Sequence, residues 1–156
     1  MMAKGQDNGW RDWLGQGAIA ALSLLLIGCG PSRAEQCLLL YDTIQAAESQ
    51  QALGQQTPAT TQQNATLYED LAATLSGLEL TAKPLKAHRD DLVSGYQALA
   101  VVLRREAEVM NEDGTISYVL GDTEAEQAYK SLSADKQKAH NQVITASELY
   151  SQHCAR

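Results

Sequence analysis

Leucine recurs at helical spacing through the middle of the chain. Leu67, Leu71, Leu75 and Leu78 fall on one face of a helix. Leu85, Leu92, Tyr96, Leu99 and Leu103 then repeat with heptad-like spacing, and Met110 extends the stripe. Apolar residues three and four apart line up at 3.6 residues per turn, and such a stripe has to be covered by another element. Alternating apolar and polar runs, the signature of strands, are nearly absent.

The same pattern marks both ends of the chain's larger part. Cys37, Leu40, Tyr41, Ile44 and Ala47 predict a first helix over 33–53, with Gly54 as a natural stop. Tyr129, Leu132, Ala139, Val143, Ala146 and Tyr150 predict a last helix from residue 123 almost to Cys154. A Gln/Thr-rich stretch with Pro58, over 54–63, reads as a loop grading into the start of the second helix, Gly77 closes that helix, and 111–122 breaks the pattern after the third. Ser32-Arg33-Ala34-Glu35 and Thr123-Glu124-Ala125-Glu126 fit capping boxes, in which a hydroxyl and a carboxylate three residues later bond each other's backbone N–H groups. Thr81 is placed to cap the third helix, with Pro84 in its first turn. Four amphipathic helices with mostly short links predict an all-α fold, an up-down-up-down four-helix bundle. The sequence has no Phe, and both Trp, Trp10 and Trp13, come before Leu24. The bundle core therefore rests on Leu, Ala, Val, Ile and Tyr.

Ahead of the bundle, residues 13–32 carry no charge, but the strongly apolar part, 18–27, spans only 10 positions. A membrane-crossing helix needs about 20 mainly apolar residues. Ten suits a signal-peptide core, with Lys4 and Arg11 as the basic stretch before it. The run ends in Leu26-Ile27-Gly28-Cys29, which resembles the lipobox of bacterial lipoproteins. The resemblance implies that the chain is cut after the small residue Gly28 and that Cys29 becomes the new N-terminus. Its thiol would carry a diacylglyceryl group, so that palmitate-type chains hold the protein to a membrane. A single acyl chain binds only marginally, whereas several anchor firmly. Residues 1–28 are then a signal peptide, 29–32 a lipid-anchored linker and 33–156 the bundle, in the bacterial cell envelope and facing the periplasm or a lumen. An uncleaved anchor or an ordinary secretory signal would also place the rest of the chain outside the cytoplasm. Leu75-x-x-Leu78-x-Leu80, followed by Leu85 and Leu92 to Tyr96, is similar to short, uncharacterised helical lipoproteins of cyanobacteria. That resemblance implies a fold and no activity.

With lipid on Cys29, Cys37 and Cys154 remain, an even number in an oxidising compartment. We read them as one disulfide; two free thiols are the other reading. In an up-down-up-down bundle the first helix begins at the pole where the last one finishes, and both cysteines lie there. A bridge would close a loop of 118 residues, both cysteines counted, worth about 5 kcal/mol in the chain-entropy account.

The net charge of -7 lies wholly beyond Cys29, because Lys4 and Arg11 cancel Asp7 and Asp12 before it. An acidic body argues against nucleic acid, whose phosphates are bound by Lys and Arg. Glu106, Glu108, Glu112, Asp113, Asp122, Glu124 and Glu126 put seven carboxylates at the end away from the cysteines. They form either a docking face for a basic partner or a solvated surface. Within the break, Asn111, Asp113, Gly114, Ile116 and Ser117 resemble the middle of an EF-hand calcium loop. In that register the first and last ligand positions fall on Val109 and Leu120, neither of which binds calcium. The break therefore reads as a turn, with Asn111, Asp113, Ile116, Ser117 and Tyr118 as candidate contacts for a partner or an ion. His88, His140 and His153 show no metal-ligand spacing, and no Gly-rich phosphate loop or nucleophile elbow is present. No catalytic residue, metal or cofactor is expected. The function expected is a membrane-tethered, non-enzymatic accessory or scaffold bundle of the bacterial envelope, bound to the membrane through its lipid and meeting an envelope membrane protein. The alternative is a lipoprotein that binds a small ligand or divalent ion at the distal acidic loop or in the bundle core.

Overall fold

Among the described residues four helices follow in chain order: α1 (Arg33–Glu48), α2 (Pro58–Ser76), α3 (Lys83–Val109) and α4 (Thr123–Cys154). They come from a computed structural model that describes residues 30–116 and 122–155, among which no strand occurs. The expected signal segment and anchor Cys29, and Ser117 and Tyr118 of the loop, lie outside the described residues. Residues 33–156 form one compact unit. Among the described residues no helix is long and apolar enough to cross a membrane.

Side-chain contacts fix the alternating directions. The residues after α2 meet the start of α1 through Gln36 and Thr81. The far end of α3 meets the start of α2, where the Thr61 hydroxyl lies 3.7 Å from the Met110 sulfur. α4 then runs back along α3, passing from Lys136 beside Glu106 to Cys154 beside Cys37. The bundle is up-down-up-down, as its leucine stripes predict.

The helices are unequal, and this shapes the molecule. α1 has 16 residues and α4 has 32, so at 1.5 Å per residue α1 is about 24 Å long and α4 about 48 Å. Near the cysteines the core has four walls, with Cys37, Leu40, Ile44, Leu75, Leu85, Leu92 and Tyr150 in one cluster. Farther along, Ala65, Leu99, Leu103 and Ala139 from α2, α3 and α4 make a smaller one. α1 ends at Glu48, short of the expected residue 53, because its chain tightens: Gln50 N–H bonds the Ala47 carbonyl and Gln51 N–H the Glu48 carbonyl, both three residues back. Asn64 Oδ1 then accepts the Ala52 N–H at 2.9 Å and pins the connection to α2.

A core without Phe packs because small residues let helices approach. Ala65, Ala72 and Ala100 are fully buried. A Cβ placed on Gly95 of α3 would lie 2.9 Å from Val143 Cγ2 and 3.3 Å from the Val143 backbone nitrogen of α4. The stripes are imperfect guides at two positions. Tyr41 and Tyr129 fall in the expected core pattern but are exposed, because α1 turns Gln36, Cys37, Leu40 and Ile44 inward and α4 begins its buried face at Leu132.

The caps also differ from expectation. Asp122, one residue before the predicted box, caps α4 by accepting the N–H groups of Glu124 and Ala125. Thr57 and Thr60 form a reciprocal capping box at α2, which therefore starts at Pro58 inside the expected linker. α3 starts after Ala82, which has no capping side chain of its own.

Candidate functional site

Three places carry chemistry: the cysteine pole, the distal turn, and a groove between α1 and α4. At the pole the sulfurs of Cys37 and Cys154 are 2.00 Å apart, with their Cα atoms at 5.8 Å, the geometry of a disulfide. The Tyr150 hydroxyl donates to the Cys37 carbonyl at 2.7 Å, and Arg33 donates to the His153 carbonyl. Gln36 is 2 % exposed; its Oε1 accepts the N–H groups of Thr81 and Ala82 at 2.7 and 3.1 Å, and its Nε2 donates to Thr81 Oγ1 at 2.8 Å. A side chain of α1 thus fixes the backbone leading into α3, and Thr81 is its partner rather than a cap. The rings of His88 and His153 stand 5.5 Å apart. No group of three His, Cys, Asp or Glu among the described residues is arranged to hold a metal ion.

At the distal turn the chain closes on itself. Asn111 N–H bonds the Thr115 carbonyl at 2.7 Å, and Gly114 N–H bonds the Asn111 carbonyl at 2.9 Å. Asp113 Oδ1 accepts both the N–H and the hydroxyl of Thr115, at 2.9 and 2.7 Å, and these bonds hold its carboxyl below the ordinary aspartate range. Its carbonyl accepts from Gln55 Nε2 at 3.1 Å. Gly114 has φ +84°, and a Cβ there would lie 1.9 Å from the Gln56 carbonyl oxygen, so the turn requires glycine. Asn111 and Asp113 are exposed and Ile116 is half-buried. Ile116 shares an apolar notch of about 260 Å³ with Val109 and Tyr129.

The distal carboxylates are not one solvated cluster. Glu106 is 8 % exposed, and both its oxygens lie 2.7 Å from Lys136 Nζ, one helix over. Glu126 pairs with Lys130 one turn on, at 2.6 Å. Asp122 is a cap and Asp113 a turn residue. Glu108, Glu112 and Glu124 remain as exposed carboxylates without a structural task of this kind.

The third place had no signal in the sequence. Because α1 stops early, a groove of about 770 Å³ opens between its end and the second half of α4. Tyr68 of α2 and Tyr96 of α3 form its floor, stacked with ring centroids 5.5 Å apart. Glu48, Gln51, His140 and Glu148 line its sides. Gln51 Nε2 donates to the Tyr68 hydroxyl. Burial first, then the charge of Glu48, pushes the Tyr96 phenol well above the ordinary tyrosine range; burial does the same for Tyr68, against the Gln51 bond. Both phenols stay protonated at neutral pH. The Tyr96 hydroxyl is buried and has no hydrogen-bond partner among the described residues.

These features define an all-α four-helix bundle joined at one pole by sulfur and opened along one side. No family model matches the chain, and no curated protein or solved structure is significantly similar to it.

Proposed function

We propose that this protein is a lipoprotein of a bacterial envelope whose helical bundle is a non-enzymatic accessory or scaffold subunit. The observation that carries this reading is the closure of Cys37 on Cys154. Disulfides persist in exported compartments and are rare in the cytosol. The Leu26-Ile27-Gly28-Cys29 motif supplies the matching export and lipidation route, and only Gly30, Pro31 and Ser32 separate Cys29 from the first helix.

The mechanism is confinement. Acyl chains on Cys29 hold the bundle to a membrane surface, so a contact too weak to form in solution gains a high effective concentration. The distal turn, with Asn111, Asp113 and Ile116 and the adjoining Ser117 and Tyr118, is the contact element for an envelope membrane protein. Gln55 holds its backbone at the Asp113 carbonyl, and Gly114 packs close to the Gln56 backbone, which supports a preorganised surface.

Mass spectrometry of the protein recovered from bacterial membranes tests this reading. The expected product begins at Cys29, carries diacylglyceryl and acyl mass there, and keeps Cys37 joined to Cys154. Cys29→Ser should leave the membrane fraction. An unprocessed N-terminus, or free thiols at residues 37 and 154 in the exported protein, would overturn it.

A further inference from the structure

We infer that the groove between α1 and α4 is a binding site for a protonated primary amine carrying an apolar arm. Its volume of about 770 Å³ is within the range of small-molecule sites, about 300–1,000 Å³. Size alone selects no ligand; four observations on its lining do.

First, Tyr96 lines the groove, is 2 % exposed, and its buried hydroxyl has no hydrogen-bond partner among the described residues. Buried hydroxyls are rarely left unpaired, because their desolvation is then uncompensated. A ligand N–H would supply the missing bond. Second, Glu48 and Glu148 line the groove, while no lysine or arginine is among its described lining residues. The site therefore selects for positive charge and against carboxylates and phosphates. Third, the half-buried Tyr68 ring, backed by Tyr96 stacked behind it, offers π-electron density to a cation. Fourth, Leu99, Val143 and Ile144 add an apolar wall for the rest of the ligand. A quaternary ammonium would satisfy the charge and the rings but not the hydroxyl, which is why the inference names a primary amine. The site is independent of the lipid anchor and of the distal turn.

Titration calorimetry on the full chain in a neutral detergent tests it, with phenethylammonium, its N,N,N-trimethyl counterpart and 3-phenylpropionate as probes. The primary amine should bind saturably, and the carboxylate at least about tenfold more weakly. Tyr96→Phe keeps the ring and should weaken the primary amine by about three- to tenfold. It should also abolish the preference for the primary over the trimethylated amine, an effect that a general loss of packing would not produce. Glu48→Gln combined with Glu148→Gln changes only surface carboxylates and should weaken both cations together. No saturable binding of phenethylammonium, equal binding of the carboxylate, or an unchanged amine preference in Tyr96→Phe would each overturn the inference.

Discussion

Gln36 Oε1 accepts the backbone N–H of Thr81 at 2.7 Å, so a side chain on the first helix holds the chain that enters the third. The two positions are 45 residues apart. Replacing Gln36 by Met keeps the volume and removes three hydrogen bonds, leaving the Thr81 and Ala82 N–H groups without this acceptor. Gln36→Met should cost about 1–3 kcal/mol, read as a lower urea midpoint with an unchanged slope. Hydrogen exchange at residues 82–86 should rise more than elsewhere. Uniform exchange with no loss of stability would mean that Gln36 does not hold the entry to α3.

α3 and α4 approach closely at Gly95 and Val143. Ala at position 95 gains about 1 kcal/mol in helix propensity but meets backbone atoms of Val143 at 3.3 and 3.4 Å, which cannot rotate away. Crowding of this kind costs about 1–3 kcal/mol, so the crowding term wins. Thermal unfolding should show Gly95→Ala destabilised by about 1 kcal/mol. Val143→Ala in the same chain removes the Cγ2 contact at 2.9 Å and should recover part of the loss. A more stable Gly95→Ala would show that the helices are farther apart.

Lys136 satisfies a buried carboxylate. Truncating it as Lys136→Met leaves Glu106, 8 % exposed, without its counter-ion. Because the lysine itself is about one-third exposed, the loss should sit below the fully buried range, at about 1–3 kcal/mol. Glu106→Gln added to Lys136→Met should restore much of it, since a neutral amide is cheaper to bury. Additive losses in the double-mutant cycle would show that the pair does not interact.

The leucine stripes and the pole shared by Cys37 and Cys154 were legible because they depend on periodicity and topology alone. Cap identity was less so. Thr57 with Thr60 works as a box although Thr is not the usual partner three residues on, and Thr123 with Glu126 fits the pattern while Asp122 makes the bonds. Gln36 gave no local sign, since its partners are 45 and 46 positions away. The groove was also hidden. It depends on where α1 stops, and Glu48, Tyr68, Tyr96 and Glu148 are scattered over all four helices. The acidic pole misled as a list of carboxylates because Lys130 and Lys136 reach it from later turns.

Opening the disulfide should cost about 2–5 kcal/mol, because the loop it closes spans almost the whole bundle. Urea unfolding of oxidised protein against Cys37→Ser combined with Cys154→Ser measures this directly. Equal midpoints would mean that the unfolded chain is not restrained by the bridge.

Acid should weaken the bundle partly through Glu69. Its carboxylate accepts two hydrogen bonds from Arg104, which hold its pKa below the ordinary glutamate range. A group depressed on folding contributes stability in full above its unfolded pKa, about 4.3, and loses it as pH falls through the lower folded value. Asp113 acts with the same sign. Both are surface groups, so the effect is small and screened by salt. The urea midpoint should therefore fall below about pH 4.5, and Glu69→Gln should flatten that fall. An identical acid profile in Glu69→Gln would rule out this contribution.

The bridge between Cys37 and Cys154 has a mechanical corollary. Tension applied at the start of the chain can draw out only the residues before Cys37; beyond that the pull crosses through sulfur to the end of the longest helix. Load is thus spread over both termini, and α1 cannot be peeled away by itself. A protein built this way can be tugged by whatever holds its N-terminus without unravelling from that side.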